Sequence, residues 1–214
     1  LDVWFGGSET ADAVADVIFG DVNPSGKLTM SFPKNVGQVP LYYAAKNTGR
    51  PLLEGRWFEK FRSNYLDVDN APLYPFGYGL TYTTFEYGPV VLSDTILDFT
   101  PYTLHPTLQV SCIIKNTGNR TATAVPQLYI RDLVGSLTRP IRELKGFQRV
   151  TIPAGESCTV TFELTEEDLA YWHLAEGVTL GADGAYAHSA EPGDFHVWIA
   201  PNAAEGQPAK FTLK

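Results

Sequence analysis

Sulfur is scarce in this sequence, which has two cysteines, Cys112 and Cys158, and one methionine among 214 residues. Two thiols are too few for a disulfide scaffold or a zinc site. Both share strand parity with apolar neighbours, so they are expected as buried free thiols. Long apolar runs are also missing. The longest, such as residues 13–19, are interrupted by acidic or polar groups and fall far short of a membrane span. Positive charge is never in excess: net charge is -8, with 7 basic against 10 acidic residues up to Tyr87 and 9 against 14 afterwards. Nucleic acid and anionic membrane are therefore excluded as partners. The histidines His105, His173, His188 and His196 have neither metal-ligand spacing nor a serine or cysteine partner in a recognisable elbow, so no metal or histidine chemistry is expected.

What is present is apolar and aromatic: 44% of residues are hydrophobic and 13% aromatic, enough for a core in each half of a two-domain chain. The opening Leu1-Asp2-Val3-Trp4-Phe5 reads as a buried strand, followed by Gly6-Gly7 and Ser8 as N-cap of a helix. Ala11, Val14, Ala15 and Ile18 recur at helical spacing, Asp12 and Asp16 take the other face, and Gly20 supplies the stop. One such unit cannot cover both faces of a parallel strand, so the rest of its sheet is expected upstream of Leu1. With no initiating Met, basic leader or cleavage site, the chain is expected to begin mid-protein. Asn23-Pro24-Ser25-Gly26 makes a turn before a strand-like stretch at 27–32. Residues 33–80, rich in proline, glycine and aromatics but without sustained period, read as a long ordered excursion of the functional kind.

After about Val90 apolar residues alternate between turn clusters, the pattern of a β-sandwich. The division predicted is 1–89, an α/β fragment with a connecting loop, and 90–214, an all-β immunoglobulin-like sandwich. Val110, Cys112, Ile114, Val160, Phe162, Leu164, Val197 and Ile199 should point inward. Thr165 should cap a short helical turn with Asp168, and 174–190 read as a hairpin insertion of uncertain form.

Three stretches are more particular than this. The run from Ala15 through Phe19-Gly20-Asp21 and Asn23-Pro24-Ser25-Gly26-Lys27-Leu28 resembles the signature that closes the α/β sandwich domain of family-3 glycoside hydrolases. Gly37-Gln38-Val39-Pro40-Leu41-Tyr42-Tyr43 and Asn47-Thr48-Gly49-Arg50-Pro51 continue the likeness. Leu73-Tyr74-Pro75-Phe76-Gly77-Tyr78-Gly79-Leu80 resembles the family's bridge into its last domain. Asn116-Thr117-Gly118, Gln127-Leu128-Tyr129, Arg139-Pro140 and Leu144-Lys145-Gly146-Phe147 are similar to the fibronectin type III-like domain of the same enzymes. Among subgroups, the pattern is most similar to bacterial periplasmic β-glucosidases. Residues 174–190 are longer than the usual pattern.

The resemblance implies a retaining exo-glycosidase, with a β-glucoside or oligosaccharide as substrate and no metal or organic cofactor. β-Xylosidases, arabinosidases and other exo-glycosidases of the family share this tail, and a free-standing carbohydrate-binding or adhesion module on the sandwich is the rival reading. It implies a periplasmic or secreted location, and partners in a missing N-terminal barrel and the remainder of the α/β domain; a homodimer is a further option. Retention needs two carboxyl groups roughly 5 to 5.5 Å apart, and both are expected upstream of Leu1, so no catalytic residue is assigned in this chain. Candidate substrate contacts are Trp57 and Phe58, in the aromatic and charged run Arg56 to Tyr65, which could equally be packing its loop down. A third is Glu9, at the ligand-collecting edge of an α/β unit, where a first-turn glutamate also simply stabilises a helix N-terminus. Gly26, Gly77 and Gly79 should allow tight turns, and Tyr74, Phe76, Tyr78, Tyr82 and Phe85 should wedge between the domains.

Overall fold

The computed structural model describes residues 1–52, 56, 58–98, 107–175, 177–178 and 185–214. The first regular element is helix α1, Thr10–Phe19. Gly20 closes it in the left-handed conformation at φ 84°, its N–H donating to the carbonyls of Asp16 and Val17. The N-cap is Glu9 rather than Ser8, and no side chain caps it; Thr10 Oγ1 instead donates back to Gly7 O at 2.6 Å. No residue of α1 is buried. Its apolar side is only partly covered: Val14, Ala15 and Val17 are half-buried, while Ile18 is 62% and Phe19 82% exposed.

The expected strand at 1–5 does not form, and Leu1, Val3, Trp4 and Phe5 are all exposed. A parallel strand exists only through its neighbours' hydrogen bonds, and no described strand lies beside these residues. The strand expected at 27–32 shrinks, for the same reason, to one antiparallel bridge between Phe32 and Tyr74. Leu28 N–H still donates to Tyr78 O, and Gly77 N–H to Leu28 O, both at 2.8 Å. No helix among the described residues is long and apolar enough to cross a membrane.

The excursion at 33–80 has a 3₁₀ turn, Val36–Gln38, as its only helix among the described residues. Its order comes from Gln38, fully buried, whose Nε2 donates to Asp69 O at 2.9 Å and Ala71 O at 3.1 Å while Oε1 accepts from Lys34 N. Lys34 Nζ pairs with Asp69 at 2.7 Å across the same junction.

The rest is a sandwich of two main sheets with two separate two-stranded ribbons. Its strands are β1 Phe85–Tyr87, β2 Val91–Leu92, β3 Ile96–Leu97, β4 Leu108–Asn116, β5 Ala122–Ala124, β6 Gln127–Asp132, β7 Glu143–Phe147, β8 Val150–Ile152 and β9 Ser157–Leu164. The short helix α2, Glu166–Leu169, leads to β10 Tyr171–Leu174, β11 Tyr186–Ser189, β12 Gly193–Ala200 and β13 Ala209–Leu213. In one sheet β4 is central, flanked by β9 on one edge and by β1 and then β2 on the other. The other sheet runs β3-β13-β12-β6-β7, antiparallel except where β13 meets β3.

Alternation decides which side chains fill the space between the sheets. All eight predicted inward residues are buried, none more than 8% exposed, and they join Leu108, Ile130, Phe195 and Phe211 in one core. Each large side chain in it contributes roughly 1.5–3 kcal/mol by leaving water. Both cysteines are free thiols, Cys112 buried and Cys158 partly so. Thr165 and Asp168 form the expected capping box of α2.

A second, smaller cluster joins the sandwich to the excursion. Tyr129, Trp198 and Ala200 on the outer face of β6 and β12 pack against Tyr43 and Phe76, whose rings stack with centroids 4.0 Å apart. Of the predicted wedge, Phe76 and Phe85 pack against the sandwich. Tyr82 reaches the other way, its hydroxyl donating to Val17 O in α1, and Tyr74 and Tyr78 stack on each other.

Candidate functional site

The loop running through residue 58 is clipped where it leaves and rejoins the excursion. Its stem is a parallel bridge between Pro51 and Ser63, where Ser63 N–H donates to Arg50 O at 2.9 Å and Ser63 Oγ meets Thr48 Oγ1 at 2.7 Å. Asn70 Nδ2 donates to Ser63 O, and the hydroxyl of Tyr65 donates to Gln38 O at 3.0 Å. The loop is thus tied to the buried Gln38 pin rather than hanging free. At its turn Arg62 N–H donates to Glu59 O, and the two side chains pair at 3.3 Å. Glu59 Oε2 is buried with no hydrogen-bond partner among the described residues.

Phe58 is 46% and Phe61 73% exposed, so two rings stand at the surface of this loop. Phe61 has φ 66°, a left-handed conformation unusual for an aromatic residue, and Lys60 Nζ lies 4.9 Å over its ring. Trp57 lies outside the described residues. Glu9 is exposed at the start of α1. An exposed ring beside cationic and carboxylate groups can stack on an apolar sugar face while the polar groups meet hydroxyls.

A cleft of about 430 Å³ opens where the two halves meet, between Pro24, Ser25, Lys27 and residues 78–81 on one wall and Phe85, Tyr87, residues 123–125 and Glu205 on the other. Lys27 Nζ donates to Gly79 O at 3.0 Å. Burial depresses the pKa of its ammonium, and the Glu205 carboxylate partly restores it. Arg149 donates to Ser25 Oγ at 2.9 Å nearby, a further link between the halves.

Glycine roles differ from expectation. Gly77 has positive φ (78°), but Gly79 does not; its hydrogen faces Gly26 O, where a Cβ would lie 2.2 Å away. Gly26 has neither a positive φ nor any atom within 4 Å of such a Cβ. Three polar residues that matter most to the architecture, Gln38, Asn116 and Gln127, carry no distinguishing signal in composition or period. They do lie within the motifs quoted above.

Residues 1–82 match the glycosyl hydrolase family 3 C-terminal domain, and residues 124–203 a fibronectin type III-like domain. The periplasmic β-glucosidase of Salmonella typhimurium is 42% identical over 219 aligned residues, 100% of this chain and 26% of that protein. A β-xylosidase of Formosa agariphila is 46% identical over 79% of this chain and 22% of its own length. Among solved structures, the β-glucosidase of Listeria innocua in complex with gluconolactone superposes with a TM-score of 0.85 at 36% identity, covering 99% of this chain and 27% of that one. A β-glucosidase of Erythrobacter marinus gives 0.77 at 40% identity, over 96% of this chain and 24% of that one. The chain spans about a quarter of the length of the relatives it matches.

Proposed function

Because this chain belongs to glycosyl hydrolase family 3, carrying that family's C-terminal domain and a fibronectin type III-like domain, we propose that it is the C-terminal portion of a retaining β-glucosidase. The whole protein removes terminal non-reducing β-D-glucosyl residues. The observation that carries this reading is the 42% identity to a periplasmic β-glucosidase along the entire chain, supported by the superposition on a gluconolactone-bound β-glucosidase. The same relative is the ground for a periplasmic or secreted location.

In this reading the nucleophile and the acid/base are carboxyl groups outside these residues, roughly 5 to 5.5 Å apart in the assembled enzyme. This chain supplies structure and an active-site rim. Trp57 and Phe58 stack on the glucoside, and Glu9 sits at the edge of the same α/β unit. The exposed apolar residues of α1 and the unpaired residues 1–5 are covered by the remainder of the α/β domain, next to an N-terminal barrel.

The β-xylosidase relative supports a second reading in which the glycone is xylose. Rates of the full-length enzyme on 4-nitrophenyl β-glucoside and β-xyloside separate the two. We expect a higher kcat/KM for the glucoside and a first-formed sugar of β configuration by NMR. Xyloside preference would change the substrate, and an inverted product would remove the covalent mechanism.

A further inference from the structure

Strands β10 and β11 form a separate two-stranded ribbon, with Trp172 opposite His188 and Leu174 opposite Tyr186. Those four share one face, because side chains two apart on a strand, and direct partners across it, point the same way. All four are exposed, Trp172 66% and Tyr186 56%. The other face is the anchored one. Tyr171 is 6% exposed and its hydroxyl donates to Glu191, the Arg139 guanidinium lies 4.2 Å over its ring, and His173 Nε2 meets Ser189 Oγ at 2.9 Å. The ribbon is held from behind by polar contacts, and its front face meets water.

A front of two large rings at adjacent, diagonal positions is more than the scattered exposed hydrophobics normal to a surface. Charge narrows what can cover it. The chain carries net charge -8, and Glu167 of α2 stands at the edge of this face, its Oε1 3.7 Å from His188 Nδ1. A polyanion is repelled there. A neutral ligand with a flat apolar side and hydroxyls around its rim matches both the rings and the His188–Glu167 pair, which can donate and accept at the margin.

We propose that the Trp172, Tyr186, His188 face is a carbohydrate-binding platform for a neutral β-linked glucan chain, Trp172 and Tyr186 stacking on neighbouring sugar rings. The choice of a β-linked glucan rests on the β-glucosidase reading; the platform itself does not.

Affinity electrophoresis of the full-length protein through gels containing mixed-linkage β-glucan tests it, with amylose and heparin gels in parallel. The wild type should be retarded by β-glucan and not by heparin. Trp172→Ala and Tyr186→Ala should each weaken the apparent affinity by about tenfold, while Trp172→Tyr should retain most of it. Phe147→Ala, an exposed ring on β7, should leave retardation unchanged. Absence of wild-type retardation, equal retardation of all variants, or stronger retardation in heparin would overturn the platform. So would a change in solution mass of Trp172→Ala by light scattering, which would make the face an interface between copies. The two readings fail separately. Hydrolysis of 4-nitrophenyl β-glucoside without retardation leaves the enzyme and removes the platform; retardation without hydrolysis does the reverse, and retardation in amylose alone keeps a platform but overturns the β-linked ligand.

Discussion

The Gln127 carboxamide donates to the carbonyl of Gly77 at 3.1 Å, joining the start of β6 to a bend fifty residues earlier. The same amide nitrogen donates to Pro201 O at 2.7 Å, and the Tyr129 hydroxyl donates to its oxygen. A Cβ on Gly77 would lie 2.0 Å from Gln127 Oε1. Gly77→Ala should therefore cost about 1–3 kcal/mol, from the positive φ and the collision together. Gly26→Ala, with open space around it, should stay within about 0.5 kcal/mol of wild type. Urea unfolding of the two variants checks the contrast.

Asn116 is a second such pin. Fully buried at the end of β4, it donates to Arg120 O and Ile152 O and accepts from Thr83 Oγ1 and Gly118 N. Asn116→Leu leaves several buried groups unpaired and should cost about 3 kcal/mol or more. Asn116→Asp, which keeps the acceptor but cannot donate, should also destabilise. A melting temperature within a degree of wild type for either variant would contradict this account.

Acid should loosen the anchor behind the β10–β11 ribbon. Burial pushes the Glu191 carboxyl up, but hydrogen bonds from Ser136 and Tyr171 and the charge of His173 outweigh it, so its pKa falls below the ordinary value of 4.5. The fold therefore favours the ionised form; the stabilisation is present above about pH 4.5 and is lost as pH falls through the lower folded value. Asp132 in the same cluster is shifted upward by burial and contributes with the opposite sign. The informative quantity is the difference between wild type and Glu191→Gln. That difference should be largest near neutrality and shrink below pH 4; a difference independent of pH from 3 to 7 would reject Glu191 as the titrating group.

Phe58→Ala should raise KM for a β-linked disaccharide about three- to tenfold in the full-length enzyme, with kcat and melting temperature little changed. Kinetics and a thermal melt on the same preparation decide it. An unchanged KM in a stable variant would make the ring part of the loop's packing only.

Legibility in the sequence followed the physics of each element. The sandwich was readable because Val110, Cys112 and Ile114, or Val160, Phe162 and Leu164, alternate strictly, and alternation maps directly onto burial. Helix α1 was readable from its period and from Gly20. The strand at 1–5 was not, since its apolar run states a preference that only neighbouring strands can satisfy. The loop around Phe58 was less legible still: it is tied down by the Tyr65 hydroxyl on Gln38 O, a contact set by tertiary geometry. Tyr186 lies in the stretch 174–190, which reads only as a hairpin of uncertain form, and it is the register of β10 with β11 that sets it on one face with Trp172.

The pairing of β6 with β12 sets residues 127–132 against 195–200, and Thr212 and Leu213 of β13 close beside β3 at Ile96 and Leu97. A chain made from its N-terminus cannot complete the first contact before residue 200, or the second before residue 213, has been joined. Until then the sheet around β4 faces only β6 and β7, and Phe195, Val197, Ile199, Phe211 and Leu213 are missing from the core. A ribosome stalled shortly after residue 190 would hold a nascent sandwich with an open core, a natural client for chaperones. Premature termination anywhere in 193–213 should accordingly send the polypeptide to aggregates or proteases instead of yielding a shortened but soluble product.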